Sequence, residues 1–165
     1  MSNLATKMRS ILSGINKTMA YIGVIPFCLI MLITVYEVVV RFVFNAPTIW
    51  TLEISQYFML IAICLVPAYT LEKDGHIKVD FVVNSLSPRK KWIANILSSF
   101  LSIIFFAVLA WKSSQLTWST FTFGEKSMTM LAIPLFPIYI FMAIGTFFLL
   151  LQGIVQFFDV IGKRG

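Results

Sequence analysis

The chain has 165 residues, of which 59% are hydrophobic, 15% are aromatic and only 12% are charged. Soluble globular chains are about 45–50% apolar and about 25% charged, so this composition excludes an ordinary soluble domain. It also excludes a disordered chain, which combines low hydrophobicity with high charge. The class that remains is a membrane protein.

Four long stretches of the sequence carry no charged residue, at 18–36, 54–71, 92–111 and 127–158. A hydrocarbon core of about 30 Å needs about 20 helical residues, and each stretch reaches or approaches that length. The sequence therefore predicts an all-α membrane protein, a single domain with four transmembrane helices at about 19–44, 52–71, 89–112 and 135–158.

Two further segments predict short helices that lie along the membrane interface rather than across it. Residues 1–18 carry apolar side chains at near-helical spacing among basic ones. Residues 79–86 place apolar side chains on one face of a helix that is too short and too polar to span.

The basic residues divide unequally between the two sides of a four-span chain. Ten lie near the termini or in the second connection, and three lie in the first and third connections. Cytoplasmic loops retain positive charge, so both termini are predicted to be cytoplasmic. The net charge of +6 then reflects topology and attraction to membrane lipids, and no nucleic acid partner is expected. Arg89, Lys90 and Lys91 are predicted to anchor the third helix at the lipid headgroups.

The first connection has the features of a tight turn. Pro47 disfavours helical geometry in the residue before it, and Thr48 or Thr51 is predicted to cap the second helix. Trp50 suits the headgroup level, and Glu53 complements the positive N-terminal end of the second helix.

Later in the chain, prolines and glycines predict where helices break and where they pack closely. Pro67 is expected to kink the second helix or end it early. The third helix is expected to continue outward through the polar and aromatic residues 113–123 until Gly124 stops it. Gly145 and Gly153 lie on one face of the fourth span, where they predict the close approach of a neighbouring helix.

Glu37 and Arg41 stand four residues apart in the order that favours an ion pair. Charges inside a span are functional candidates because their insertion is costly. These two lie about 27 Å and about 33 Å along the helix from Met19, so both approach the outer headgroups. A structural pair, or one that meets a partner subunit, is favoured over a proton relay.

His76 is the one histidine of the chain, and it lies in the loop after the second span. A lone histidine is a poor metal site, because zinc takes three or four protein ligands. A role in fixing the loop by hydrogen bonds is favoured instead. The sequence contains neither a Ser-His-Asp series nor a phosphate-binding glycine loop. We therefore expect no catalytic residue, no metal site and no cofactor.

Two short motifs carry a resemblance to a known family. The first is Arg41-Phe42-Val43-Phe44-Asn45-Ala46-Pro47 followed by Trp50 and Glu53, and the second is Gly75-His76-Ile77-Lys78-Val79-Asp80. With four predicted spans in 165 residues, the chain resembles the small membrane subunit of tripartite ATP-independent periplasmic (TRAP) transporters, the DctQ-type family. By position, the motif residues are Arg41, Asn45, Pro47, Trp50, Glu53, Gly75, His76 and Asp80.

The resemblance implies a bacterial or archaeal inner-membrane protein that pairs with a large multi-span subunit and a periplasmic substrate-binding protein. The large subunit of such a system carries an organic acid together with sodium. The small subunit acts as a scaffold that enlarges the static part of an elevator-type transporter and helps the binding protein to dock. The segment 113–123 and the 45–50 turn are then the expected docking surface, with rim charges at Lys112, Glu125 and Lys126.

Two other interpretations stay open. One is a stand-alone small carrier, coupled to protons through Glu37. The other is an enzyme subunit that anchors a redox partner, although its haem form needs more axial ligands than one loop histidine supplies. A chain without an internal repeat or a central charged cavity is a poor candidate for a complete carrier, so the accessory subunit is favoured.

Overall fold

The structure is a computed structural model, and it describes residues 3–73 and 88–162. These residues form five helices: α1 (Asn3–Val43), α2 (Trp50–Leu65), α3 (Pro67–Glu72), α4 (Pro88–Phe123) and α5 (Phe136–Gly162). Within the described ranges, four helical stretches are long and apolar enough to cross a membrane, when α2 and α3 are taken together. The predicted all-α fold with four spans is confirmed.

The spans stand in a row. α2 and α3 lie between α1 and α5 over most of their length, although α1 also touches α5, where Asn16 bonds to Gln152. α4 lies on the far side of α5, which is the one described helix that its backbone approaches. The helices at the two edges of the row, α1 and α4, therefore expose most of their apolar side chains, whereas α2 and α5 bury more of theirs. We name the end of the row that holds residues 44–49 and 124–135 the turn end, and the opposite end the termini end.

The first helix differs from the prediction. One uninterrupted helix covers Asn3–Val43, so the separate interfacial helix expected for residues 1–18 is wrong. The physical reason lies in two polar side chains of this segment. Ser13 bonds to α3 and Asn16 bonds to both α3 and α5, which keeps the segment in line with the bundle instead of turning it onto a lipid surface.

Two predicted helix breaks are confirmed, and one predicted helix cap is wrong. α2 ends at Leu65 and α3 begins at Pro67, as expected for a residue that lacks an N–H donor. α4 continues beyond 112 to Phe123, and Gly124 follows with a φ of 61°, which glycine adopts without strain. Thr48 does not cap α2: the N-cap is Ile49, and no side chain caps this helix.

Glycines bring the helices into close contact. A Cβ atom added at Gly145 would lie 2.2 Å from the carbonyl oxygen of Cys64 in α2. One added at Gly153 would lie 2.8 Å from the ring of Phe106 in α4. The predicted close approach is thus confirmed, and the two glycines of α5 serve two different neighbours. Close packing of this kind stabilises helix association where lipid supplies no hydrophobic drive.

Candidate functional site

At the turn end, Glu37 is held by the turn that follows its own helix. The backbone N–H of Thr48 donates to Glu37 Oε2 at 3.3 Å, and the Thr48 hydroxyl donates to the same oxygen. This use of the hydroxyl explains why Thr48 does not cap α2. The predicted ion pair between Glu37 and Arg41 is not formed, and the Glu37 carboxylate is bound by Thr48 instead. Two nearby neutral donors satisfy the carboxylate without immobilising a long arginine side chain.

Glu53 connects α2 to the segment 124–135. It lies in the first turn of α2 and is buried, with 6% of its surface exposed. The Tyr57 hydroxyl donates to its Oε1 at 2.6 Å, and the Thr129 hydroxyl donates to its Oε2. Sequence reasoning gave Glu53 a role at the helix N-terminus, and the structure adds a bond to a distant loop.

The segment 124–135 is a closed loop. The Ser127 N–H donates to the Ile133 carbonyl at 2.9 Å, and the Leu135 N–H donates to the Glu125 carbonyl at 3.2 Å. Thr129 at its tip bonds to Glu53. The residues on either side of Thr129 are two exposed methionines, Met128 and Met130. The loop is therefore fastened at its base by its own backbone and at its tip by α2.

Three other motif residues shape the turn itself. Asn45 adopts a φ of 48°, a left-handed conformation that asparagine tolerates better than most residues. Pro47 lies between this residue and the start of α2. The Trp50 ring contacts the Tyr36 ring of α1, with 5.9 Å between ring centroids. The motif thus joins α1 and α2 by a residue in the left-handed conformation, a proline with a fixed φ and an aromatic contact.

The charged residues proposed for docking and anchoring lie in different surroundings. Lys112 donates to Gln115 Oε1 at 3.2 Å within α4. Glu125 accepts a hydrogen bond from Thr120 at 3.1 Å, so it also stabilises the end of α4, and Lys126 is exposed. Arg89, Lys90 and Lys91, which are predicted to anchor the helix at the headgroups, belong to the first turn of α4. The second motif, with Gly75, His76 and Asp80, and the predicted helix at 79–86 lie outside the described residues.

The termini end holds a polar network that the sequence analysis missed. Asn16 of α1 is fully buried and donates through Nδ2 to Gln152 Oε1 at 3.0 Å and to Glu72 Oε2 at 3.3 Å. Ser13 donates to Glu72 Oε1 at 2.6 Å. We name these four residues the termini network. It ties together α1, α3 and α5.

One signal for this network was present in the sequence. Gln152 is an isolated amide within an apolar span, and a buried polar group needs a hydrogen-bond partner. It therefore predicts a polar residue on a neighbouring helix. The identity of that residue was not accessible, because Asn16 and Glu72 each lie in a segment that resembles an ordinary polar flank.

At both ends of the row, hydrogen bonds from neutral donors to carboxylates hold helices, the turn and the loop together. Within the described residues, no group of three His, Cys, Asp or Glu side chains could hold a metal ion.

The family model for the DctQ component of tripartite ATP-independent periplasmic transporters matches residues 30–162. The chain belongs to this family. The comparison with curated proteins gives no match.

Membership of the DctQ family makes the chain a multi-pass inner-membrane component of a TRAP transporter. The resemblance inferred from the two motifs is confirmed. The matched stretch contains Glu37, the turn and Glu53, whereas Ser13 and Asn16 precede it. The turn end therefore belongs entirely to the matched part of the chain, and the termini network belongs to it only in part.

Between its two ends, the row offers apolar surface. An open groove of about 540 Å³ lies between α1 and the α2–α3 junction, and residues of α4 and α5 close its far side. Thr70 is the polar residue of its lining, and the Thr70 hydroxyl is bonded to the Val66 carbonyl at 3.4 Å. The lining of this groove contains no charged side chain that could bind an ionic substrate.

Proposed function

We propose that this chain is the scaffold subunit of a secondary-active, sodium-coupled, binding-protein-dependent uptake system for organic acids. It pairs with a large multi-span TRAP subunit, which carries substrate and sodium and moves as an elevator against the static scaffold. It also helps the periplasmic substrate-binding protein to dock. Family membership supports the place of the chain in such an assembly.

One observation carries the scaffold role. The polar groups that cross between described helices are concentrated at the two ends of the row, while the middle combines an apolar groove with the backbone contact at Gly145. A carrier for a charged solute needs polar groups or ions near mid-depth, because charge is costly there. A scaffold needs helices that keep a fixed register, and closely packed interfaces resist continuous deformation.

The exposed apolar edges of the row support a partner in the membrane. α1 and α4 carry many exposed large hydrophobic side chains, and so does one face of α2. Lipid and a second membrane protein can both cover such surfaces, and close packing decides between them. The scaffold proposal assigns part of this surface to the large subunit.

In the proposed orientation the turn end is periplasmic and both termini are cytoplasmic, on the ten-to-three division of basic residues. Reporter fusions after Gly165 and within residues 113–128 test it. We expect cytoplasmic activity from the first and periplasmic activity from the second. Periplasmic activity of the terminal fusion would contradict the four-span topology.

The main experiment compares the chain alone, the large subunit alone and the two together in proteoliposomes. We expect a stable complex of the two subunits, and uptake that requires both subunits, the binding protein and a sodium gradient. Uptake by the chain alone, driven by a proton gradient, would instead establish the small-carrier interpretation. Uptake by the large subunit alone at the rate of the complex would refute the scaffold role.

A further inference from the structure

A polar pocket of about 430 Å³ opens at the termini end, between α1, α3 and α5. Two carboxylates, one guanidinium, two hydroxyls and one amide line it, from Glu72, Asp159, Arg9, Ser10, Ser13 and Gln152. The termini network forms part of its wall, because the buried Asn16 bonds to both Glu72 and Gln152. We name this cavity the termini pocket.

The termini pocket lies at the level of the lipid headgroups. Glu72 directly follows the uncharged stretch 54–71, and Asp159 directly follows the uncharged stretch 127–158. Ser13 lies about one turn before Lys17, which precedes the uncharged stretch 18–36. Uncharged stretches of this length fill the hydrocarbon core, so the residues at their ends face the polar zone of the bilayer. Three helices thus place the pocket at one membrane surface, whichever side of the membrane that is.

The charge of the termini pocket favours a ligand with a positive group. Glu72 is bonded by two neutral donors, the Ser13 hydroxyl at 2.6 Å and the Asn16 amide at 3.3 Å. Among the described residues that line the pocket, Arg9 is the basic one, and it is paired with Asp159. The lining therefore has a carboxylate in excess, which repels a purely anionic ligand and attracts a cationic group.

An unsatisfied acceptor adds a demand for hydrogen-bond donors. Asn16 is fully buried, and its Oδ1 atom accepts no hydrogen bond from any described residue. Buried polar atoms normally have a partner, so this oxygen indicates a donor that the described residues do not supply. The Nδ2 atom of the same amide bonds to Glu72 and Gln152, which both line the pocket. A bound group with several N–H donors would complete this part of the termini network.

We propose that the termini pocket binds a phosphoethanolamine group, the headgroup of the membrane lipid phosphatidylethanolamine. The ammonium of this group carries three N–H donors, which suit the oxygens of Glu72, Gln152 and Asn16. Its phosphate suits Arg9, because a guanidinium has five N–H donors and can bind Asp159 and a phosphate together. This inference goes beyond the proposed function and does not depend on it.

The spacing of the binding groups fits this headgroup. Ser13, which bonds to Glu72, and Arg9 lie four residues apart on α1, about 6 Å along the helix axis. The two-carbon link between the ammonium and the phosphate of phosphoethanolamine bridges a gap of this order. Leu71, the residue before Glu72, lines the apolar groove. The acyl chains of the lipid therefore find apolar surface of this chain close to the headgroup.

Two related lipids fit the termini pocket less well. Phosphatidylglycerol has the same phosphate but no ammonium, so it meets the excess carboxylate without a positive group. Phosphatidylcholine keeps the positive charge, but methyl groups replace the N–H donors that the carboxylate and amide oxygens need. The first lipid therefore probes the charge of the ligand, and the second probes its hydrogen bonds.

The first test measures the binding of each of the three lipids, in dioleoyl form, to the purified and delipidated full-length chain by native mass spectrometry. We expect phosphatidylethanolamine to bind about tenfold more tightly than the other two, a difference of about 1.4 kcal/mol. Equal binding of the three lipids would mean that they contact the bundle without selection by the pocket, and it would overturn the proposal.

Two variants locate the site. Glu72→Gln keeps the shape of the side chain but removes its charge, so the preference for phosphatidylethanolamine over phosphatidylcholine should fall from about tenfold to about twofold or less. Arg9→Gln removes the donor to the phosphate, so it should weaken the binding of both lipids and leave the preference between them unchanged. Glu125→Gln at the turn end is the matched control, and it should bind the lipids as wild type does.

The variants also show what would contradict the site. A Glu72→Gln chain that keeps the full preference overturns the proposal. If Glu72→Gln fails to fold, the decision passes to Arg9→Gln, whose ion pair is exposed and whose loss leaves the termini network in place. Unchanged lipid binding by Arg9→Gln then overturns the proposal.

The last test separates the lipid from a soluble source of the same group. Free phosphoethanolamine is added in excess to the chain loaded with phosphatidylethanolamine. We expect no displacement, because the acyl chains contribute van der Waals contacts that the free headgroup lacks. Displacement at millimolar concentration would assign the pocket to a soluble ligand and would overturn the assignment to a membrane lipid.

Discussion

Hydrogen bonds to carboxylates stabilise both ends of the row, but they join helices to one another at the termini end and hold a turn and a loop at the turn end. At the termini end, Asn16 links a carboxylate on α3 to an amide on α5, so regular helices are joined to one another. At the turn end, Glu37 and Glu53 bind hydroxyls of the turn and of the loop. The termini network therefore sets the arrangement of helices, and the turn end sets the shape of a surface.

This difference predicts global effects for substitutions at the termini end and local effects at the turn end. A network shared by three helices is lost only when the bundle opens, so its bonds contribute to the stability of the whole fold. A bond to a loop contributes to an opening that leaves the bundle intact. The following substitutions test this contrast, in order of expected effect.

The largest effect is expected in the middle, where a backbone contact keeps both ends in register. Gly145→Ala would place a Cβ atom 2.2 Å from the Cys64 carbonyl oxygen, and backbone cannot rotate away as a side chain can. The cost of such overpacking is about 1–3 kcal/mol or more. We expect a clear fall in the thermal unfolding midpoint of the purified protein and in its yield from membranes.

Gly14→Ala is the matched control, because an added Cβ atom there meets nothing within 4 Å. It replaces glycine by a better helix former in the same fold, so stability should stay equal or rise slightly. A Gly145→Ala protein as stable as Gly14→Ala would show that α2 and α5 separate easily. The rigid scaffold would then lose its main physical support.

The second largest effect is expected for Asn16→Ala. It removes the donor of both the Gln152 and the Glu72 bonds, and unsatisfied buried acceptors cost about 1–3 kcal/mol. Thermal unfolding should show a single transition at lower temperature. Ser102→Ala is the control, since the Ser102 hydroxyl bonds only within its own helix, to Ser98 at 2.9 Å. Equal midpoints for the two variants would mean that the termini network is not shared between helices in solution.

The two ends also differ in how much of their structure local sequence predicts. Charge-free stretches, Pro67 and Gly124 predicted four spans and two breaks, because hydrocarbon thickness and backbone sterics act on local sequence. The turn motif was found because its residues are neighbours in the chain. The termini network was missed because Asn16 and Gln152 are 136 residues apart, and no local pattern pairs one amide with another. The prediction of an interfacial helix at 1–18 was wrong because its apolar spacing suits a membrane surface and a bundle equally well. The bonds that keep this segment in the bundle also join residues far apart in the chain.

The third prediction concerns the loop. Thr129→Val removes the bond to Glu53 while keeping the size of the side chain. We expect faster hydrogen exchange at the Ser127 and Leu135 amides, which close the loop, and a nearly unchanged unfolding midpoint. Thr122→Val is the control, because its hydroxyl bonds only to Trp118 in α4. A midpoint lowered as far as in Asn16→Ala would remove the contrast between the two ends.

A smaller effect is expected for Glu37→Gln. The glutamine carbonyl can still accept from the Thr48 N–H and hydroxyl, so the turn should keep its shape. We expect the assembled transporter to retain most of its uptake, measured at saturating binding protein with expression and assembly checked separately. Complete loss of uptake in a normally assembled complex would point to proton coupling through Glu37, and therefore to the small-carrier interpretation.

The smallest effect is expected at the edge of the termini end, where Arg9 and Asp159 form an ion pair. Their side chains are 45% and 41% exposed, and exposed ion pairs contribute about 0.2–1 kcal/mol. Arg9→Gln should therefore shift the unfolding midpoint far less than Asn16→Ala, although the two residues lie only two turns apart on α1. The small shift should shrink further in high salt, because salt screens exposed charges but not a buried amide network. If Arg9→Gln proved as damaging as Asn16→Ala at every salt concentration, charge rather than buried hydrogen bonding would join the helices at this end. The double variant Arg9→Gln/Asp159→Asn separates the two explanations, since it removes both charges and leaves the network of Ser13, Asn16, Glu72 and Gln152 in place.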